Sequence, residues 1–311
     1  MSEVLIVTLP FFAVVACGYL AGRFDVLSAA ALDGLNAFVY YFALPALLFR
    51  VFALRPLQEI LEWSFLGAYV AGALPLFVGS AVICRLWFRV GFASTVLHGL
   101  GSGYGNVGYL AIPLAVGVYG EAAALPAALV LFADLMFFVT LAIFLIELSR
   151  GAREQGARAL LSVVPTVLLN PFLLAILVGL AVSASGFGLA RPLDGFLVLL
   201  GAAASPCALF ALGASLVGRN VAGDLRAVAV MLVLKLLVMP PLVWLSMTEV
   251  FAVPRSWAVV ATLAAAMPLA STTFVLAQRY DINPRRFSTA VLISTALSVV
   301  TVPLVVALTG G

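Results

Sequence analysis

The feature that most constrains the fold of this chain is an internal repeat, because residues recur after an offset of 161 positions. Three segments share this offset: Pro10-Phe11 with Gly18 recurs as Pro171-Phe172 with Gly179, Leu32-Asp33-Gly34 recurs as Leu193-Asp194-Gly195, and Pro45 with Leu48-Phe49 recurs as Pro206 with Leu209-Phe210. A chain built from two copies of one unit folds into two similar halves. The sequence therefore predicts a first repeat over residues 1–150, a short linker over 151–162 and a second repeat over 163–311.

Each repeat consists largely of apolar stretches that are long enough to cross a bilayer. The chain is 65% hydrophobic and only 9% charged, which excludes an ordinary soluble domain. We predict an all-α integral membrane protein with ten transmembrane helices, at about 4–22, 33–53, 63–87, 95–118, 123–147, 163–184, 193–217, 227–249, 256–278 and 287–308. Five helices per repeat is an odd number, so the second repeat enters the membrane from the opposite side. Inverted repeats of this kind are typical of secondary transporters.

The distribution of arginine predicts the orientation in the membrane. Eleven arginines fall in alternate connections between the predicted helices, and the other connections hold four: Arg50, Arg55, Arg191 and Arg255. The positive-inside rule places the richer side in the cytoplasm. We therefore expect a multi-pass protein of the cell (inner) membrane with both termini extracytoplasmic. The arginines are scattered over many loops, so the sequence gives no sign of nucleic-acid binding.

The fourth and ninth predicted helices, 95–118 and 256–278, are expected to be broken. Four glycines occur between Gly101 and Gly108 and Pro113 follows them, while Pro268 stands at nearly the matching position of the second repeat. Non-helical backbone inside a membrane is costly unless it lines a cavity or is buried in protein. Proline suits the first position of the half-helix after each joint, whose N-terminal end attracts anions. The alternative is that both prolines only kink packed helices.

Polar side chains beside these two joints could complete a site for a carboxylate. Asn106 supplies an amide in the first joint, and residues 271–273 supply three hydroxyl groups after the second. The alternative is that these hydroxyl groups bond to carbonyl groups of their own helix.

Two ionisable residues lie deep in predicted membrane helices. Lys235, the only lysine, lies about nine residues into the eighth helix, and Asp134 is similarly deep in the fifth. A charge at the bilayer centre costs at least ~2.5–3.5 kcal/mol on insertion scales, so it needs a partner or a polar cavity. Lys235 could hold an anionic substrate, and Asp134 could relay protons. The alternative is a buried pair that only ties two helices together.

The motifs of several membrane enzymes are absent from the sequence. There is no phosphate-binding loop of the Gly-x-x-x-x-Gly-Lys-Ser/Thr type, and a single histidine excludes a His-Glu-x-x-His zinc site. Only one aspartate lies deep in the membrane, which disfavours a protease with paired aspartates. We therefore expect a protein that is not an enzyme and that has neither a metal site nor a cofactor.

Five stretches spread over nearly the whole chain share the pattern of one family. They are Asn36 to Leu48, followed by Phe49; Gly105-Asn106, seven residues ahead of Pro113; Ala204-Ser205-Pro206 with Leu209-Phe210-Ala211-Leu212-Gly213; Lys235 to Pro240; and Phe274-Val275-x-Ala277-x-x-Tyr280, followed by Pro284 and Ser288-Thr289-Ala290-Val291. On these residues the chain resembles the auxin efflux carrier family of secondary transporters, whose fold is similar to that of the sodium–bile acid symporters.

The resemblance implies two inverted five-helix repeats in which the fourth and ninth helices cross at their breaks. It also implies a scaffold domain and a transport domain that move as an elevator, organic anions as substrates, and often a homodimer. It places substrate carboxylates at the crossover. The candidate substrate contacts are Gly105, Asn106, Tyr109, Pro113, Pro268, Ser271, Thr272 and Thr273, and the candidate charge-compensating or coupling residues are Asp134 and Lys235.

These observations favour a secondary carrier of small organic anions, expected to be an efflux carrier, with the anion and the lipid bilayer as its partners. The opposite direction of transport, and H⁺, Na⁺ or no coupling ion, stay open as alternatives. The link at about Ser149 to Ser162 is short, whereas plant members have a long loop there, so the chain resembles a prokaryotic member. Small mono- or dicarboxylates are then favoured over auxin-like acids. Three alternatives have the same fold: a sodium-coupled organic-anion symporter, an anion channel, and a sensor that does not transport. Neither joint supplies a carboxylate for a sodium site, which disfavours the symporter.

Overall fold

The structure, a computed structural model, describes residues 2–60, 62–150, 169–218, 221 and 223–310, and these residues form an all-helical chain. The longer helices are α1 (Ser2–Arg23), α2 (Ala29–Ala53), α3 (Trp63–Phe88), α4 (Phe92–Gly103), α5 (Val107–Tyr119), α6 (Glu121–Ser149), α7 (Pro171–Ser185), α8 (Arg191–Ala214), α9 (Leu225–Val250), α10 (Arg255–Ala265), α11 (Ser271–Arg279) and α12 (Pro284–Thr309), and a single helical turn, Leu57–Ile60, precedes α3. The predicted linker 151–162 and the first residues of the helix predicted from 163 lie outside the described residues.

The membrane class predicted from the sequence is confirmed. Within the described ranges, seven helices are long and apolar enough to cross a membrane, and they are α1, α2, the helix ending at Phe88, α6, α8, α9 and α12. The shorter α7 is the described part of the sixth predicted helix. The fourth and ninth predicted helices are each divided, into α4 with α5 and into α10 with α11. The total of ten transmembrane helices stays a prediction.

Local sequence explains where several helices begin and end. The Asn170 side chain accepts hydrogen bonds from the first backbone N–H groups of α7, and Pro171 occupies the first turn. Gly186 ends the same helix in a left-handed conformation with φ of 71°. Asp224 caps the start of α9 in the same way as Asn170 caps α7.

The chain divides into two compact units, and each unit draws on both halves of the sequence. The first unit comprises Met1–Trp63, Gly108–Phe132 and Leu168–Gly218, and the second comprises Ser64–Val107, Ala133–Val167 and Arg219–Gly311. The two units therefore do not coincide with the two predicted repeats. The repeat boundaries at 150 and 163 stay a prediction.

Glycine permits two close helix contacts inside the first unit. Helix α1 packs on the second half of α8, and α7 packs on the second half of α2. A Cβ atom at Gly179 would lie 2.8 Å from the carbonyl oxygen of Phe49, and one at Gly18 would be closer still to the carbonyl oxygen of Phe210. Both glycines and both phenylalanines are related by the same 161-residue offset, so one contact repeats the other at equivalent positions.

Hydroxyl groups join helices inside the second unit. The hydroxyl groups of Ser80 on α3 and Ser102 on α4 are 2.8 Å apart, and the hydroxyl group of Ser246 on α9 donates to the carbonyl oxygen of Ala68 at 2.7 Å. The Ser294 hydroxyl oxygen on α12 accepts the backbone N–H of Leu269 at 3.1 Å. Polar bridges of this kind hold helices together where lipid removes the hydrophobic driving force.

Candidate substrate and coupling site

The first joint lies at residues 104–106, between α4 and α5. Helix α4 ends at Gly103, Tyr104 is extended with φ of −126° and ψ of 122°, and α5 begins with a π-helical turn at Val107. The glycine-rich run was expected to break the helix, but Gly101 and Gly103 lie within α4. A Cβ atom at Gly101 would lie 2.5 Å from Sδ of Met231, so this glycine serves close packing rather than unwinding.

The second joint lies between Ala265, the last residue of α10, and Ser271, the first residue of α11. Pro268 lies inside this joint, so the expectation that it opens the following half-helix is wrong. Pro113 is the second residue of the α-helical part of α5, Ile112–Tyr119, where its missing N–H fits the first turn. The two prolines therefore occupy different structural positions, Pro268 within a joint and Pro113 in the first turn of an α-helix.

The two joints pair with each other inside the second unit. The backbone N–H of Asn106 donates to the carbonyl oxygen of Pro268 at 2.8 Å, and Gly105 and Leu269 form an isolated antiparallel bridge. A Cβ atom at Gly105 would lie 3.0 Å from both the carbonyl oxygen of Ala264 and Nζ of Lys235, so only glycine fits comfortably. The pairing satisfies backbone groups that would otherwise be costly at membrane depth.

Several polar groups near the paired joints keep hydrogen-bonding capacity. Asn106 is buried, with 7% of the residue exposed, and no described residue forms a hydrogen bond with its side-chain amide. The hydroxyl oxygen of Thr273 is buried and has no hydrogen-bond partner in the described part of the chain. Ser271 begins α11, whose N-terminus has no side-chain cap. Thr272 lies 3.5 Å from the Tyr104 hydroxyl group, measured between oxygens. Amide, hydroxyl and free helix N–H groups suit a carboxylate.

Lys235 is fully buried and contacts the second joint directly. Its ammonium group donates to the carbonyl oxygen of Ala265 at 2.9 Å and contacts Sδ of Met239 at 2.8 Å. Ala265 is the last residue of α10, and the C-terminal end of a helix carries partial negative charge. The lysine therefore stabilises the broken end of this half-helix.

Asp134 is also fully buried, but its hydrogen bonding is incomplete. The Tyr69 hydroxyl group donates to Oδ1 at 2.9 Å, while Oδ2 has no partner among the described residues. Asp134 and Lys235 are close enough to interact electrostatically, yet the ammonium group donates elsewhere and no ion pair joins them in the described structure. The alternative of a simple buried salt bridge between Asp134 and Lys235 therefore does not describe this conformation.

The remaining two candidates, Tyr109 and Pro113, belong to the first unit. Tyr109 is half-buried in the π-helical turn Val107–Ala111. Pro113 lines a cavity of about 550 Å³ within that unit, which is mostly apolar but includes Arg50. Nε of Arg50 donates to the carboxylate of Asp194 at 2.6 Å. The structure thus brings Gly105, Asn106, Pro268, Ser271, Thr272, Thr273, Asp134 and Lys235 into one unit, and Tyr109 and Pro113 into the other.

Sequence reasoning missed two residues, Tyr69 and Ser294. Tyr69 donates a hydrogen bond to Asp134, and Ser294 accepts one from Leu269 in the second joint. Tyr69 carries a usable signal, because it lies about two turns inside an apolar helix, whereas tyrosines of membrane proteins concentrate at the interfaces. Ser294 carries no comparable signal, since serine inside a membrane helix most often bonds to its own helix.

The fold and the site are those of a multi-pass membrane transport protein. The chain has long apolar helices, two interrupted helices that pair through their backbones, and a buried lysine beside the pairing. Residues 4–306 match the family described as "Membrane transport protein". The chain belongs to this family, the auxin efflux carrier family, as the sequence patterns indicated.

The relatives of the chain agree with this assignment. The chain is 32% identical over 302 residues to a protein of Rhizobium meliloti (strain 1021) named "Putative malonate transporter", covering 97% of this chain and 94% of that protein. It is 27% identical over 297 residues to an "Uncharacterized transporter" of Methanothermobacter thermautotrophicus, with 93% of each chain covered. A 79-residue stretch is 35% identical to the mouse "Lysosomal cholesterol signaling protein", covering 25% of this chain and 9% of that protein. The family and the two relatives that match nearly the whole chain are named as transporters rather than enzymes.

Proposed function

We propose that the protein is a secondary carrier of small carboxylates, with short dicarboxylates of the malonate type as its leading substrates. The relative named "Putative malonate transporter" matches almost the whole length of both chains, which supports this substrate class. A substrate of this size carries little apolar surface, so recognition depends on hydrogen bonds and charge. The groups near the paired joints are of that kind.

The observation that carries the proposal is the pairing of the two joints beside an unbonded amide. The hydrogen bond to Pro268 fixes the Asn106 backbone, and the side-chain amide has no hydrogen-bond partner among the described residues. A carboxylate could accept from this amide and from the uncapped N-terminus of α11. Lys235 supplies positive charge beside Gly105 that compensates the anion.

We further propose ten transmembrane helices in two inverted repeats, both termini extracytoplasmic in the inner membrane, and elevator-type alternating access. The repeated contacts of Gly18 with Phe210 and of Gly179 with Phe49 support the repeat. The chain passes from the second unit to the first between Val107 and Gly108, one residue beyond Asn106. Any rearrangement of one unit against the other therefore acts on backbone next to the proposed site. Such a rearrangement is what alternating access requires.

The proposal is tested by radiolabelled malonate counterflow in proteoliposomes. Saturable counterflow is expected for a carrier, whereas a channel gives flux that does not saturate and no counterflow. Asn106→Ala removes a hydrogen bond to a charged ligand that is worth about 1.5–3 kcal/mol, so affinity should fall roughly 10- to 150-fold.

The matched control is Asn36→Ala, because the Asn36 amide donates to its own helix at the carbonyl oxygen of Leu32, at 3.1 Å. We expect wild-type affinity in that variant. Unchanged malonate affinity in a folded Asn106→Ala protein would remove this amide from the site. If neither malonate nor other small carboxylates show counterflow with the wild-type protein, the proposed function itself is wrong.

A further inference from the structure

We infer that Asp134 binds and releases a proton in each transport cycle, so that the coupling ion of this carrier is H⁺. The inference rests on the proposed transport function and assigns its driving force. The first observation is geometric. The Asp134 carboxyl group is 0% exposed, its Oδ1 accepts one hydrogen bond from Tyr69, and its Oδ2 has no described partner.

A carboxylate in that position requires neutralisation. A buried charge with a single hydrogen bond and no contact ion pair is far more costly than the same group carrying a proton. The groups that interact with it electrostatically are Tyr69 on α3 and Lys235 on α9, and Tyr104 in the first joint interacts in turn with Tyr69. The hydrogen bonds of Lys235 are directed at Ala265 and Met239, so the ammonium group does not cap Oδ2.

A proton fits this position better than a sodium ion. A metal cation at Oδ2 needs several protein ligands, and the described residues contain no group of three or more His, Cys, Asp or Glu side chains that could hold one. A proton forms one covalent O–H bond with Oδ2 and needs no further oxygen ligands. The residues around Asp134 therefore favour H⁺ as the ion that neutralises it.

The position of Asp134 in the chain connects its proton to the transport movement. The chain passes from the first unit to the second between Phe132 and Ala133, and Asp134 opens the π-helical turn Asp134–Val139 directly afterwards. Turns of this type recur at functional sites. A change of backbone conformation there can expose the carboxyl group to water on one side of the membrane, where Oδ2 takes up a proton. In a later conformation the group faces water on the other side, where the O–H bond breaks and the proton leaves.

The test separates exchange from net, proton-driven uptake in proteoliposomes that contain a pH-sensitive dye. With the wild-type protein, an imposed pH gradient should drive accumulation of labelled malonate together with proton entry, and a sodium gradient should not. Asp134→Asn keeps the shape and the bond from Tyr69 but cannot release a proton. We expect this variant to keep malonate exchange, to lose pH-driven accumulation and proton entry, and to exchange at a rate that no longer depends on pH.

Asp33→Asn is the matched control, because it makes the same substitution at an exposed aspartate of α2, and it should behave as the wild-type protein does.

Proton-coupled accumulation in Asp134→Asn overturns the inference, and so does loss of exchange in a folded Asp134→Asn protein. If that variant does not fold, Asp134→Glu decides, since it retains a carboxyl group and should keep coupling with a shifted pH profile; an unshifted profile counts against Asp134. If the wild-type protein exchanges malonate but shows no pH-driven malonate uptake, this inference is wrong, whereas the proposed function is unaffected.

Discussion

Replacing the two glycines of the first unit that share the 161-residue offset with alanine tests the helix contacts that support the proposed inverted repeat. In Gly179→Ala the new methyl group would lie 2.8 Å from the carbonyl oxygen of Phe49, and in Gly18→Ala it would be closer to that of Phe210. Close carbon–oxygen contacts in proteins are about 3.3 Å, so α7 must move by about 0.5 Å at Gly179. A larger displacement is needed between α1 and α8 at Gly18.

Overpacking of this kind costs about 1–3 kcal/mol, while alanine recovers about 0.8–1 kcal/mol of helix propensity relative to glycine. We therefore expect Gly18→Ala to destabilise the protein by roughly 2 kcal/mol and Gly179→Ala by roughly 1 kcal/mol or less. Gly34 and Gly195 provide matched controls, because they share the 161-residue offset and have no atom within 4 Å of an added Cβ. Alanine at either control position should be neutral or stabilising.

The measurement is the apparent Tm of each variant in one detergent at one scan rate, since membrane proteins often unfold irreversibly. The order expected is Gly18→Ala lowest, then Gly179→Ala, then the wild-type protein and both controls. A Gly18→Ala protein as stable as Gly34→Ala would show that α1 and α8 are not in close backbone contact. Destabilisation at only one of the two repeat-related positions would argue against equivalent packing in the two repeats.

Two further predictions concern the buried charges. Lys235→Met removes the ammonium group that donates to Ala265 and that compensates the anion, so it should lower the apparent Tm and abolish malonate transport; adding Asp134→Asn should not restore the transport. A wild-type transport rate in Lys235→Met would make the lysine dispensable. Uptake of one H⁺ with a monocarboxylate moves no net charge, whereas one H⁺ with the malonate dianion moves one negative charge, worth about 2.3 kcal/mol per 100 mV. An imposed potassium diffusion potential should therefore change malonate uptake and leave uptake of a transported monocarboxylate unaffected, and equal responses would refute this stoichiometry.

The positions of the membrane helices could be predicted from the sequence, because a span depends on the local length and polarity of the chain. The positions of the two interruptions could be predicted only approximately. Glycine has two roles that look alike in a sequence, since it loosens a helix and also lets another element approach it. Gly101 has the second role beside Met231, and Gly105 lies in the joint. Pro113 lies in the first turn of the α-helical part of α5, close to the predicted position, but the π-helical turn Val107–Ala111 separates that part from the joint.

The arrangement of the buried charges shows where sequence reasoning reaches its limit. That Asp134 and Lys235 would be buried follows from their apolar surroundings, and mutual pairing is then the simplest prediction. The contacts that decide otherwise join residues far apart in the chain: Tyr69 is 65 positions from Asp134, and Ala265 is 30 positions from Lys235. The Ala265 contact involves a backbone carbonyl group, which any residue type supplies, so no pattern of side chains can reveal it. It becomes available only because α10 ends at Ala265 and leaves its last carbonyl groups without helical partners. The break in the ninth predicted helix thus determines the partner of Lys235. Because the lysine is bonded there, Oδ2 of Asp134 has no partner among the described residues, and this oxygen is the one proposed to bind the proton.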